Sequence, residues 1–244
     1  MSKPDVVYAA FKSERNRLLR SGTAAWVAEI LREQIVEGLF APGTRLSEEN
    51  IGAALGVSRN TLREAFRLLG HQHLVVHELN RGVFVRVLTT SDVRDLYLLR
   101  RVIEGAAVQL AAQDDHFDLT ILTATVEQAE AAAAAQRWGE VATYDLQFHQ
   151  ELVGLAGSPR LNESMQRLLA ELRLAFHVMS SPDEFHEPYL IRNRTLVTLL
   201  QAGEINQALR ELQAYLEDAQ AQLLDAFEQQ TTKTETDTRL RSSQ

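Results

Sequence analysis

The chain of 244 residues contains no cysteine, which excludes disulfides and thiolate metal sites. It also contains no apolar run of about eighteen residues, the length at which a helix begins to read as membrane-spanning. The opening stretch, MSKPDVVYAAFKSERNRLLR, lacks the apolar centre and small-residue cleavage site of a secretory signal. These absences lead us to expect a cytoplasmic protein with no membrane partner. Several catalytic signatures are missing as well. There is no H-E-x-x-H, no Glu-x-x-His pair, no nucleophile elbow and no phosphate-binding glycine loop. Proline is scarce, with 5 residues, so each one is informative as a boundary.

A net charge of -8 is a poor overall match for a polyanionic partner, but the charge is unevenly spread. Residues 1–90 carry 12 Lys+Arg against 9 Asp+Glu, and residues 91–244 carry 13 against 24. Only the front of the chain is suited to meet phosphate. Residues 1–22, with Lys3, Lys12, Arg15, Arg17 and Arg20, read as a flexible basic arm. Residues 230–244 have almost no apolar content and read as a disordered tail.

Between these ends the pattern changes near residue 90. In the block 23–88, Val27, Ile30, Leu31, Ile35 and Val36 give one helical stripe, closed by Gly38. After the Ala41-Pro42-Gly43 turn, Ser47 caps a short second helix that Gly56 stops. Ser58 caps a third helix whose apolar positions are Leu62, Ala65, Phe66, Leu68 and Leu69. Two β-rich runs, Leu74–Val76 and Val83–Val87, flank an Asn80-Arg81-Gly82 turn. The block 91–229 is helical throughout, with six helices expected at about 91–113, 117–136, 139–156, 160–179, 186–202 and 204–229. Short separators favour an antiparallel bundle. The expected fold is therefore mainly α: a winged helix-turn-helix followed by an antiparallel six-helix bundle.

Helix, tight turn and capped helix form a helix-turn-helix pattern, whose second helix enters the DNA major groove by its N-terminal end. That end offers Ser58, Arg59, Asn60, Thr61 and Arg63. Arginine can make paired bonds to guanine, asparagine can read adenine, and a helix N-terminus favours phosphate. The hairpin would form a wing with Arg81 at its tip. The alternative reading of Ser58-Arg59-Asn60 is an ordinary capped surface helix.

Residues 23–87 resemble the winged helix of GntR-type regulators. The resemblance rests on G-x-x-x-P-G-x-x-L before the second helix, L-G-V-S-R-x-x-x-R-E-A across the turn, and the late R-G-x-F-V. It implies DNA contacts at Ser58, Arg59, Asn60, Thr61, Arg63, Arg81 and Gly82. Some members carry an arginine early in the second helix, where this chain has Glu49, so that contact should be missing. Residues 91–229 resemble the effector domain of the FadR/FCD branch, through R-R-x-I-E at 100–104, D-L-Q-F-H at 145–149, A-G-S-P-R-L at 156–161 and L-L-Q-A-G-E at 199–204. Six helices point towards the VanR-like subgroup.

The branch implies a palindromic operator, a homodimer and a small organic acid as effector. It also implies a divalent metal of the Zn or Ni type on Asp145, His149 and two further histidines. Those two positions hold Asn193 and Tyr215 here, so the metal site is degenerate. Asp145 and His149 lie four apart and share one helix face, which also suits a plain hydrogen-bonded pair. The expected effector site is Arg100, Asp145, His149, Asn193 and Tyr215, with Arg101, Arg192 and Arg194 as further cations. His177 and His186 lie nearby in sequence, though His186 would need a shifted helix to stand in for Asn193. Two other readings stay open. One is a metal-dependent enzyme using Asp145 and His149, with Tyr144 or Glu151 carrying a proton. The other is a protein-binding adaptor, which the charged Ser58–Arg63 stretch disfavours.

Overall fold

In a computed structural model, the described residues are 22–113, 118–179 and 181–242. The expected basic arm therefore lies, apart from residue 22, outside the described residues. The chain divides between Leu88 and Thr89 into two units.

The first unit begins with α1 (Thr23–Val36), which buries Val27, Ala28, Ile30, Leu31 and Ile35. A two-residue strand, β1 (Arg45–Leu46), precedes α2 (Glu48–Leu55). Ser47 caps α2 by accepting from the Asn50 amide at 3.2 Å. Gly56 ends the helix in the left-handed region at φ 67°, a conformation that a Cβ disfavours. Ser58 caps α3 (Arg59–His71), and its hydroxyl accepts from the Thr61 amide at 3.1 Å. One face of α3 buries Leu62, Ala65, Phe66 and Leu69, and the helix packs on α1 and α2. Burying each such large apolar side chain stabilises by roughly 1.5–3 kcal/mol, which fixes the opposite face outward.

Strands β2 (Val75–Glu78) and β3 (Gly82–Val85) form the wing hairpin, with Asn80 at φ 60° in its turn. β1 joins them, in the order β1-β3-β2, all antiparallel, with Arg45 opposite Phe84 and Leu46 opposite Val83. The strand at Arg45 was not expected from sequence: two residues carry no period to detect.

The second unit holds six α-helices among its described residues: α4 (Thr90–Ala111), α5 (Thr120–Ala134), α6 (Trp138–Gly154), α7 (Pro159–Ala175), α8 (Pro182–Gln201) and α9 (Ile205–Ser242). A 3-10 turn, Phe176–Val178, follows α7. Helix α4 starts with a full capping box between Thr89 and Asp92. Helix α6 is central and packs against α4, α5, α7 and α8. Helix α8 starts four residues before the expected 186, because Pro182 sits in the first turn, where a missing N–H costs nothing. Helix α9 runs on past the expected end at 229. The stretch expected to be a disordered tail contains neither glycine nor proline to stop the helix. No helix among the described residues is long and apolar enough to cross a membrane.

Candidate functional site

The first unit presents an exposed polar surface at one end of α3. Ser58, Arg59, Asn60 and Arg63 are exposed and Thr61 is half-buried, all at the N-terminal end of α3. Ser58 and Thr61 hold each other, hydroxyl to hydroxyl, at 2.9 Å. Arg59 takes no side-chain partner among the described residues and lines a groove of about 370 Å³ with Arg45, Glu49 and Gly82. The Arg63 Nε donates to both carboxylate oxygens of Glu48 at 3.2 Å. That pair is exposed, and such pairs contribute at most about 1 kcal/mol, so the guanidinium can leave it for a stronger anion. Arg67, one turn on, is held by Glu64 and His71.

On the wing, Arg81 is exposed, pairs with Glu78 and lies over the Phe84 ring at 5.4 Å. Gly82 has φ +115°, and a Cβ there would come within 3.2 Å of the Arg45 Nε, so the glycine lets Arg45 cross the wing. The expected residues Ser58, Arg59, Asn60, Thr61 and Arg63 thus share one helix end, while Arg81 and Gly82 sit on the hairpin. Sequence reasoning missed Arg45 and Glu48. The only signal for Arg45 was its place between a turn and a helix cap.

The second unit buries a chain of polar side chains. Arg100, Glu104, Asp145, His149, His186 and Asn193 are all at least nine-tenths buried. The Arg100 Nε donates to Glu104 Oε1 at 2.7 Å, and His149 Nδ1 lies 2.7 Å from Glu104 Oε2. The His149 ring meets the Tyr215 ring edge-on at 4.9 Å. The Tyr215 hydroxyl donates to Asp145 Oδ1 at 2.8 Å, and Asn193 Nδ2 donates to the same oxygen at 3.0 Å. Arg100 also lies over Tyr97 at 5.0 Å.

Burial pushes the Glu104 carboxyl up, but the Arg100 guanidinium and then the His149 imidazole outweigh it and hold it below the usual range. Asp145 behaves alike. Burial raises it, while His149, His186 and the bonds from Tyr215 and Asn193 pull it below the ordinary value. Burial, followed by the Asp145 charge, pushes the Tyr215 hydroxyl well up, so it stays a neutral donor. Burial also lowers His186, which favours its neutral form.

The structure therefore brings Arg100, Asp145, His149, Asn193 and Tyr215 together. Of the other cations, Arg192 lies over the Tyr215 ring at 5.3 Å, while Arg101 and Arg194 stand outside the cluster. Arg101 bonds Gln220, Arg192 pairs with Glu211 and Asp218, and Arg194 pairs with Glu130. Sequence reasoning missed Glu104 as the hub, although it stands in the quoted R-R-x-I-E stretch. His186 is buried and within electrostatic reach of Asp145 without any shift of helix.

The donor set does not fit the implied Zn- or Ni-type ion. Asp145 Oδ1 is already occupied by two hydrogen bonds, and Tyr215 uses its proton on that oxygen. Asn193 turns its amide nitrogen, not its oxygen, towards Asp145. No group of three or more His, Asp or Glu among the described residues is disposed to hold a metal. We expect that stripping the full-length protein with EDTA and adding Zn²⁺ or Ni²⁺ leaves its melting temperature unchanged. A saturable rise at one ion per chain would contradict this.

Residues 23–85 match the family described as bacterial regulatory proteins, gntR family, and residues 95–218 match the FCD domain. The chain is 35% identical over 138 residues to the Nta operon transcriptional regulator of Aminobacter aminovorans. That match covers 56% of this chain and 65% of the relative, just under two thirds of its length. The HTH-type transcriptional repressor RspR of Escherichia coli K12 is 29% identical over 162 residues, covering 64% of this chain and 71% of that one. A solved structure of a GntR transcriptional regulator from Rhodococcus sp. RHA1 is 46% identical, with a TM-score of 0.80. It covers 84% of this chain, and this chain covers 99% of it. All are proteins named as regulators, which removes the enzyme reading of Asp145 and His149.

Proposed function

The chain belongs to the GntR family of bacterial transcriptional regulators, its FCD domain following the gntR segment, and we propose that it represses transcription by gripping a palindromic operator as a homodimer. It works in the cytoplasm, where its operator lies. One observation carries the DNA reading: the N-terminal end of α3 offers Arg59, Asn60 and Arg63 to solvent while Leu62, Phe66 and Leu69 are fully buried. A helix end of that kind reads a few base pairs and no more. Two copies related by a two-fold axis double the site and demand matching half-sites. Ser58 and Thr61 position the helix end on phosphate, Arg59 and Asn60 reach base edges, and Arg81 with Gly82 lets the wing approach the backbone. Glu49 brings a negative charge where some relatives have arginine, so no phosphate contact forms there.

A small carboxylate metabolite bound among Arg100, Asp145, His149, Asn193 and Tyr215 sets operator affinity. It can do so only by the difference in its affinity for the DNA-competent and incompetent states. Selection of bound sequences from a random pool tests the proposal. The expected product is a palindrome with half-sites about one helical turn apart, or a multiple of it. Its affinity should fall steeply with salt, because phosphate contacts release counterions. Enrichment of single, unpaired sites would contradict the dimeric reading, and no enrichment would contradict the proposal.

A further inference from the structure

The buried cluster of the FCD domain contains polar atoms that the protein itself does not satisfy. Arg100 Nη2, His149 Nε2, His186 Nδ1 and Asn193 Oδ1 are all buried and have no hydrogen-bond partner. Leaving such atoms unpaired is costly, so they mark where a bound molecule is received. Their chemistry is mixed. Arg100 Nη2 can only donate and Asn193 Oδ1 can only accept; His149 Nδ1 keeps its proton on the Glu104 carboxylate, so the neutral ring's Nε2 accepts, while His186 Nδ1 can do either. The Asn193 orientation is fixed, since turning the amide over would press its oxygen against the Asp145 carboxylate. Asp145 itself is a buried carboxylate with two neutral donors on one oxygen and no cation in ion-pair contact among the described residues. His149, His186 and Arg173 act on it through space only. A buried charge without a contacting counter-charge calls for one.

A simple acid meets only half of this set. It can take Arg100 Nη2, but it brings a second negative charge near Asp145 and offers nothing to Asn193 Oδ1. A simple amine meets the other half and leaves Arg100 Nη2 unpaired. Resting on the effector reading above, we infer that the ligand is a zwitterion of the α-amino-acid kind, bound without a metal. Its ammonium lies at Asp145, Asn193 Oδ1 and His149 Nε2, and its carboxylate at Arg100 Nη2. A chain of side-chain contacts links the two groups: Arg100 reaches His149 through Glu104, the His149 ring packs on Tyr215, and Tyr215 bonds Asp145.

The test uses the EDTA-treated full-length protein, by calorimetry and operator binding. The probes are the standard L-amino acids, the amine formed from each by loss of the carboxylate, and the 2-hydroxy acid in which hydroxyl replaces the amine. At least one amino acid should bind and change operator affinity, with its amine and its hydroxy acid each about tenfold weaker or worse. Asn193→Ala should narrow the preference for amino acid over hydroxy acid. Because the ligand series is read on the unmodified protein, the result does not depend on a buried variant folding. If a hydroxy acid moves operator affinity as strongly as its amino acid, the zwitterion is overturned and the effector reading stands. The same holds if a small-molecule cell extract moves it and no amino acid does. If neither the three series nor the extract has any effect, the effector reading falls as well.

Discussion

Replacing Glu104 by alanine should remove a large share of the stability of the FCD domain. Glu104 is fully buried and is the shared partner of Arg100 and His149, at 2.7 Å each. Its removal leaves a guanidinium without its counter-charge in the interior and an imidazole nitrogen without its acceptor. Breaking a buried ion pair from one side costs about 3–5 kcal/mol. Whole domains are stable by only about 5–15 kcal/mol, so a loss of that size is a large share. Glu104→Gln should cost less, because an amide oxygen can still accept from one neighbour. Urea unfolding followed by circular dichroism measures both. A Glu104→Ala protein within about 1 kcal/mol of the parent would mean that the cluster does not hold the domain together. The effect should stay out of the DNA-binding unit, whose core of Leu62, Phe66 and Leu69 is its own.

The second large effect concerns DNA affinity. Arg59→Ala should weaken operator binding by about 1–3 kcal/mol, roughly 5- to 150-fold per half-site, if the side chain makes a paired contact to guanine. Arg63→Ala should weaken it too. The loss should be smaller, since Arg63 gives up its bonds to Glu48 when it turns to DNA. Both side chains are exposed and neither supports the core, so the melting temperature should hardly move. Electrophoretic shift at fixed salt separates these outcomes. Undiminished binding by both variants would remove α3 as the reading element.

Much of the first unit was legible in the sequence, because local rules decide it. Ser47, Gly56 and Ser58 mark caps and a turn that depend on neighbours three or four residues away, and the structure has them where the sequence signals lie. The strand at Arg45 was not legible, since two residues acquire their pairing only from Phe84 and Val83 on the distant hairpin. The six helices of the second unit were readable from period and separators. The start of α8 was displaced because proline was read as a break and not as a first-turn residue.

The candidate effector site was readable only through resemblance, and only in part. Arg100, Asp145, His149, Asn193 and Tyr215 do converge, yet the residue that ties two of them together, Glu104, gave no separate signal. A glutamate on a helix is ordinary until three helices close over it. His186 was discounted for a similar reason. Sequence spacing measured its distance from Asn193 along one helix, whereas its relation to Asp145 depends on how α6 and α8 pack. The change in the implied ligand set was legible in Asn193 and Tyr215, but the arrangement around Asp145 was not. That depends on which way an amide and a hydroxyl point.

The reading of DNA by α3 is tested most directly by interference footprinting, in which guanines of the selected operator are methylated and the bound and free fractions compared. The parent protein should be sensitive to guanine methylation at matching positions in both half-sites, and the Arg59→Ala protein should lose sensitivity at one guanine per half-site while keeping the rest. An unchanged guanine pattern in the variant, with binding still measurable, would contradict the assignment of α3 as the base-reading helix.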